Sequence, residues 1–320
     1  MQTNDPTQHA GFRRIFAENR LTIGFIAPLE PYPDTPGPTL RNHEAVIKHA
    51  DDIGIAGYWL RDVPFYDPSF GDVGQVLDPF VYAGWLAAIT RNMAIGTAGI
   101  VVPLREPIAT AKQIATLDNM TGGRFIPGMA SGDRPVEYPA FGEDFDNRAE
   151  RYREAIRLTR TVLTDDFPVH ATQHYGELVG AIDLVPKPSS PFLPLISIGR
   201  AGQTKEWIAE HMDGWIWHGR DATKLDYVVP QWRALTASRG FKPYGYGTWF
   251  DLLKDPDAPI EPGQILRGGR HALIELWKRQ EHVGVNHVVL NLKPSQRPAE
   301  DVLDEMGTHI LPLFPTHVSV

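Results

Sequence analysis

Residues 93–135 read MAIGTAGIVVPLREPIATAKQIATLDNMTGGRFIPGMASGDRP. Residues 94–102 form an apolar, β-branched run with Gly96 and Gly99 inside it, and Pro103 stops it. Pro107 stands where a helix can begin, since a first-turn position tolerates a fixed φ and a missing N–H. Ile108, Ala111, Ala115 and Leu117 then recur on a helical period. Gly122 and Gly123 follow as helix-ending glycines do. Residues 125–130 are a second short apolar run, which opens into the small polar loop Ser131-Gly132-Asp133-Arg134. The plan is strand, loop, helix, strand, loop. Two such runs joined by a helix are parallel neighbours linked by a right-handed crossover. Glycine weakens a strand, so Gly96 and Gly99 leave two readings open: close approach of a ligand, or a bulge or tight packing in a barrel wall.

Outward from this stretch, composition narrows the classes. A chain of 320 residues is one or two domains on length alone, and α/β barrels of this size are commonly one. Hydrophobic residues make up 42%, enough for a sizeable core. A net charge of −8 and a pI near 5.8, with no long basic run, argue against a nucleic-acid partner. The absence of cysteine excludes disulfides, thiolate zinc sites, iron–sulfur clusters and cysteine nucleophiles. Residues 1–11 are polar without an apolar signal core, and no apolar run approaches the roughly 20 residues of a membrane helix. A cytoplasmic protein with no membrane partner is the expectation, with residues 1–10 as a flexible tail.

Apolar runs at 21–27, 57–60, 94–102, 125–130, 195–198, 215–218, 244–250 and 285–292 read as eight strands. Helical patterns alternate with them, at 42–53, 79–89, 107–121, 147–163, 203–210, 227–239, 271–283 and 300–313. Asp146 stands where it would cap the fourth of these. Alternation of this kind favours a single (β/α)8 barrel over 1–320. Residues 165–194 are a weakly periodic segment rich in Pro and Gly. Its His170 and His174 do not make a metal site by themselves, so no metal is expected.

In such barrels function collects in the loops after the C-terminal ends of strands. That rule selects Arg61 and Asp62 after the second strand, and Pro103, Leu104 and Arg105 after the third. It selects Ser131 to Arg134 after the fourth, Gly199 to Thr204 after the fifth, and Trp217, His218 and Arg220 after the sixth. Trp249 and Asp251 follow the seventh. The long loop 65–78, with two phenylalanines and a tyrosine, is of a length that tends to be functional. Gly199-Arg200-Ala201-Gly202-Gln203-Thr204 runs straight into a helix, which reads either as an anion site or as an ordinary capped helix. Arg61 and Asp62 admit three readings: Asp62 as a base, the two paired to hold a polar substrate, or a structural ion pair. His218 suits proton transfer near neutral pH, or is a satisfied core histidine. Arg124, at a strand start, reads as a structural salt bridge. No G-x-G-x-x-G follows a strand and no G-x-x-x-x-G-K-[ST] occurs, so a dinucleotide or triphosphate loop has no support.

Gly96-Thr97-Ala98-Gly99-Ile100-Val101-Val102-Pro103, Ala111-Lys112-Gln113, Leu117-Asp118 and Thr121-Gly122-Gly123-Arg124-Phe125 together resemble the bacterial-luciferase-like flavin oxidoreductases. Phe141-Gly142, and Gly199-Arg200-Ala201-Gly202 before Glu206-Trp207-Ile208-Ala209-Glu210, match in the same order. The resemblance implies a (β/α)8 barrel with a hairpin-like insertion around 165–194, using FMN, or the deazaflavin F420 in some branches. It implies an FMN-dependent monooxygenase that takes reduced flavin and dioxygen to a small organic substrate. The alternatives are F420-dependent hydride transfer and a non-catalytic flavin-binding barrel. It implies a separate flavin reductase as partner and a homodimer, for which the apolar helix 79–89 is the candidate face. It places the flavin phosphate at Gly199, Arg200, Ala201, Gly202 and Thr204, with Ser131 and Gly132 near the same end. Trp217 counts among the cofactor contacts. The family often has a histidine after the second strand, where this chain has Arg61 and Asp62. A non-proline cis bond or bulge behind the flavin ring is expected at Ala98–Gly99.

Overall fold

The computed structural model describes residues 5–218, 221–225 and 227–316. Thirteen strands occur among these residues. They are β1 Thr22–Ile26, β2 Gly57–Leu60, β3 Ala94–Thr97, β4 Ile100–Val101, β5 Phe125–Ile126, β6 Gly128–Ala130, β7 Val169–Ala171, β8 Glu177–Val179, β9 Ile196–Ile198, β10 Gly214–His218, β11 Tyr244–Leu252, β12 Ile265–Gly268 and β13 His287–Asn291. The helices are α1 Ala10–Ile15, α2 His43–Asp52, α3 Pro79–Ile89, α4 Pro107–Thr121, α5 Arg148–Thr164, α6 Lys205–His211, α7 Val228–Thr236, α8 Arg270–Val283 and α9 Ala299–Glu305.

Parallel pairing runs β4-β6-β9-β10-β11-β13-β1-β2-β3-β5. β3 and β4 are halves of one continuous stretch, as are β5 and β6, so the two ends of this path belong to the same pair of chain segments. Joining the halves closes a ring of eight strands, the expected barrel. The first break is a non-proline cis bond at Ala98–Gly99, and the second falls at Pro127. Gly96 and Gly99 are small for packing reasons. A Cβ on Gly96 would run into the indole of the buried Trp59. On Gly99 it would lie 2.7 Å from Ile198 and 2.8 Å from the Gly128 carbonyl on the neighbouring strand.

The N-terminal ends of the strands are sealed. Phe12, Ile15 and Phe16, from α1 and its end, pack with Trp59, Ala94 and Ile126 across that opening. Above them His287 Nδ1 meets Thr22 Oγ1 at 2.8 Å, and Trp59 Nε1–H donates to His287 Nε2 at 2.9 Å. Residues 5–10 correct the expectation of a tail, whose first four positions lie outside the described residues. Asp5 caps a 3-10 turn, and His9 is fully buried against Asp118 at 2.8 Å. That buried contact fixes the segment.

The insertion forms the antiparallel hairpin β7–β8, as the family resemblance implied. β12, unforeseen, pairs with the far half of β11 outside the ring. α5 begins at Arg148, after a 3-10 turn whose cap is Asp144, so Asp146 is not its cap. Arg124 makes no salt bridge among the described residues. It donates instead to the carbonyls of Met93, Thr90 and Thr121. No helix among the described residues is long and apolar enough to cross a membrane.

Candidate active site

The opposite end of the barrel holds a cavity of about 520 Å³, within the range that binds small molecules and cofactors. Its wall brings together Arg61, Asp62, Ala98, Gly99, Ser131, Gly132, Gly199, Arg200, Ala201, Trp217 and His218. All of these were expected from the sequence. Gly202 and Thr204 do not line it. A Cβ on Gly202 would lie 2.8 Å from Ala149, so this residue faces α5. Thr204 Oγ1 accepts from the Trp207 N–H and serves as the cap of α6. Arg220 lies outside the described residues.

Arg61 and Asp62 do not pair with each other. Arg61 donates to Asp72 at 2.5 Å and to the Tyr32 hydroxyl at 3.2 Å. Burial works against its charge, and Asp72 outweighs that, so its pKa rises and it stays a cation. Its Nε–H is buried without a partner. Asp62 accepts from Arg105 Nε at 2.8 Å, from Arg105 Nη2 at 2.6 Å and from the Val101 N–H at 3.0 Å. A carboxylate with three donors is committed, and here it ties down the backbone two residues beyond the cis bond. Asp62 is therefore built as an anchor.

The long loop 65–78 is fastened over one side of this opening by cations from three strand ends. Arg61 and Lys293 meet Asp72, Lys293 donates to the Gly71 carbonyl at 2.7 Å, and Arg134 donates to the carbonyls of Phe65 and Asp72. Arg134 also lies over the Phe70 ring at 4.6 Å. Phe65 meets Phe141 edge-on, with both rings largely exposed, and Tyr66 beside them is exposed too.

His218 borders the cavity, packed edge-on to Trp249. Burial lowers its pKa, Arg61 adds to the effect and Asp133 opposes it, so the imidazole is neutral at pH 7 and can accept a proton. Trp217 stacks on Trp215 at 5.4 Å. Arg200 is exposed, and among the described residues its side chain makes one hydrogen bond, a long 3.4 Å bond to the Gln203 carbonyl, which leaves most of the guanidinium available.

Sequence reasoning missed Glu137. It stands on the 3-10 turn Pro135–Phe141, is 4% exposed, and lines the same cavity. Its Oε1 has no hydrogen-bond partner, the nearest cation being Arg134 at 3.7 Å. Burial pushes this carboxyl up from the usual carboxylate range. Among the described residues no cluster of His, Asp and Glu could hold a metal ion.

Comparison with known proteins bears on this site. The profile of the luciferase-like monooxygenase family matches residues 21–248. The 4-hydroxyprotoasukamycin monooxygenase of Streptomyces nodosus subsp. asukaensis is 28% identical over 178 residues, 55% of this chain and 46% of that protein. The chain thus spans about half the length of that curated relative. An F420-dependent secondary alcohol dehydrogenase, solved with an F420-acetone adduct, aligns over 92% of this chain and 99% of its own at a TM-score of 0.74 and 19% identity. The oxygenating constituent of 3,6-diketocamphane monooxygenase from Pseudomonas putida, solved with FMN, covers 93% and 99% at a TM-score of 0.71 and 13% identity. At these identities the two structures speak to the fold.

Proposed function

This chain belongs to the luciferase-like monooxygenase family, and from that premise we propose that it is an FMN-dependent monooxygenase acting on a small organic substrate. The observation that carries the reading is the cavity itself. It lies at the C-terminal ends of the strands and is walled on one side by Ala98 and Gly99. Its lining sets the charged side chains of Arg61, Arg134, Arg200 and Glu137 among apolar walls, so a ligand with polar edges fits here. Arg200, with the small loops at 131–132 and 199–201, would hold the phosphate. The α6 start contributes little, since Thr204 already fills its cap. The backbone at Ala98–Gly99 would support the flat ring.

When bound, reduced flavin supplies the electrons that activate dioxygen. The protein's own part is to position and shield that chemistry. Trp217 and Trp249 keep water from one side, and neutral His218 can take a proton from the substrate. The exposed Phe65, Tyr66, Phe70 and Phe141 beside the opening suit a substrate with an apolar body. A separate flavin reductase would deliver the reduced cofactor.

F420-dependent hydride transfer is the second reading, favoured by the match of fold to the F420-dependent alcohol dehydrogenase. Here too the dimer face would be α3, where Val81 is 77% exposed and Trp85 stacks with His43. Mass spectrometry of the cofactor retained on purification, with dioxygen uptake measured when reduced FMN is supplied, tests the proposal. FMN with substrate-dependent uptake supports it. Retained F420 and no uptake supports hydride transfer.

A further inference from the structure

The carboxyls on the cavity wall are not equivalent. Asp62 has three donors, and Asp72 has Arg61, Tyr32 and the Gly74 N–H. Asp133 is exposed. Glu137 alone combines burial, a place on the wall and an oxygen without a partner. A buried carboxylate with no hydrogen-bond donor among the described residues, and an ion-pair contact as long as 3.7 Å, is favoured to take a proton. Its surroundings agree. Among the described residues Arg134 on its own turn is the cation nearest to it, at 3.7 Å, while Asp133, Asp62 from the end of β2 and Asp67 from the long loop add three negative charges. Arg134 is also spent elsewhere, on Phe65, Asp72 and Phe70. A protonated carboxyl has one O–H to donate.

We infer that Glu137 works as a neutral carboxylic acid, and that its O–H donates a hydrogen bond to an acceptor atom on the flavin-class ligand that fills the cavity. The inference rests on the flavin reading above. It assigns to a residue of the fourth-strand loop the role of a proton-bearing ligand contact. It also makes ligand affinity depend on pH, because a donor that loses its proton turns into an anion facing an acceptor.

The test uses the whole chain and FMN as the probe. Dissociation constants are measured against pH for wild type, Glu137→Gln and Glu137→Met. The amide still donates but does not titrate, so the ratio of wild-type to Gln-variant affinity removes the titration of the FMN phosphate. That ratio should fall as pH rises, by roughly tenfold in all, and the Met variant should bind roughly tenfold more weakly than the Gln variant at every pH. Stability gives an independent readout. The native state holds a proton that the unfolded chain has released above about pH 4.3, so wild-type stability falls with rising pH through this group. Glu137→Gln should therefore be as stable as wild type at low pH and more stable at neutral pH. A Met variant that binds FMN like the Gln variant overturns the inference. So does a Gln variant less stable than wild type at neutral pH, which would mean an ionised Glu137 paired with Arg134. Wild type that fails to bind FMN overturns the flavin reading itself, while the stability comparison still decides the protonation state.

Discussion

At the floor of the barrel His287 is fully enclosed, and both of its ring nitrogens are used, one by Thr22 and one by Trp59. At the mouth His218 borders an open cavity with no hydrogen bond to its ring among the described residues, and Arg61 Nε and Glu137 Oε1 beside it are unpaired. The same side-chain type is a structural strut at one end and an available base at the other. What separates them is that Thr22 and Trp59 take up both ring nitrogens of His287, while the His218 ring has no such bond among the described residues. The floor should thus respond to mutation through stability, as should those mouth residues already tied into hydrogen bonds or tight packing, such as Asp62 and Gly99, while the open groups of the mouth respond through binding.

The largest effect is expected at the floor. Burial depresses the His287 pKa to about 3. The unfolded chain binds a proton below about pH 6.5 that the native state refuses, so stability is lost as pH falls from there towards 3, at up to roughly 1.4 kcal/mol per pH unit. Urea unfolding of wild type and His287→Gln across this range should show the dependence in the first and a shallower one in the second. Equal slopes would mean that His287 is not held neutral.

Next comes Asp62→Ala. It strips Arg105 of its main partner and frees the Val101 N–H, for a loss of about 3 kcal/mol. Were Asp62 a free base, activity would fall with stability unchanged. Gly99→Ala should cost roughly 1–3 kcal/mol, since the new Cβ meets the Gly128 carbonyl across the strand pair. The smallest stability change belongs to the exposed groups of the mouth. Arg200→Ala should shift unfolding by less than about 0.5 kcal/mol while weakening FMN binding roughly tenfold. A variant that unfolds early but binds normally would break the contrast between the two ends.

Most of the barrel was legible because its strands are short apolar runs punctuated by glycine and proline, and residues 57–60 and 79–89 fall where their patterns place them. β12 was not, because Ile265 and Leu266 are the only apolar residues of a strand lying outside the core ring. The rule that chemistry follows strand ends gathered Arg61, Ser131, Arg200 and His218 correctly into one cavity. It does not say which way a loop residue points. Gly202 and Thr204 turn to α5 and α6, and Asp62 turns to Arg105. Glu137 sits in Pro135-Val136-Glu137-Tyr138, which reads as a surface loop. Only the 3-10 turn, fastened by the Tyr138 hydroxyl to the Ser131 carbonyl, carries the carboxyl inward. Similarly, nothing in residues 5–10 announces that His9 finds Asp118, a partner 109 positions away.

A crystal structure of the protein soaked with FMN tests the central claim most directly. Besides the 520 Å³ space at the mouth, a cavity of about 800 Å³ outside the barrel wall, lined by Arg157, Arg160, Arg239 and Lys242, offers basic side chains to a phosphate. The flavin ring should lie against Ala98–Gly99 with its phosphate at Arg200 and Ser131. FMN seated among Arg157, Arg160 and Lys242, with the mouth cavity holding only solvent, would contradict the account.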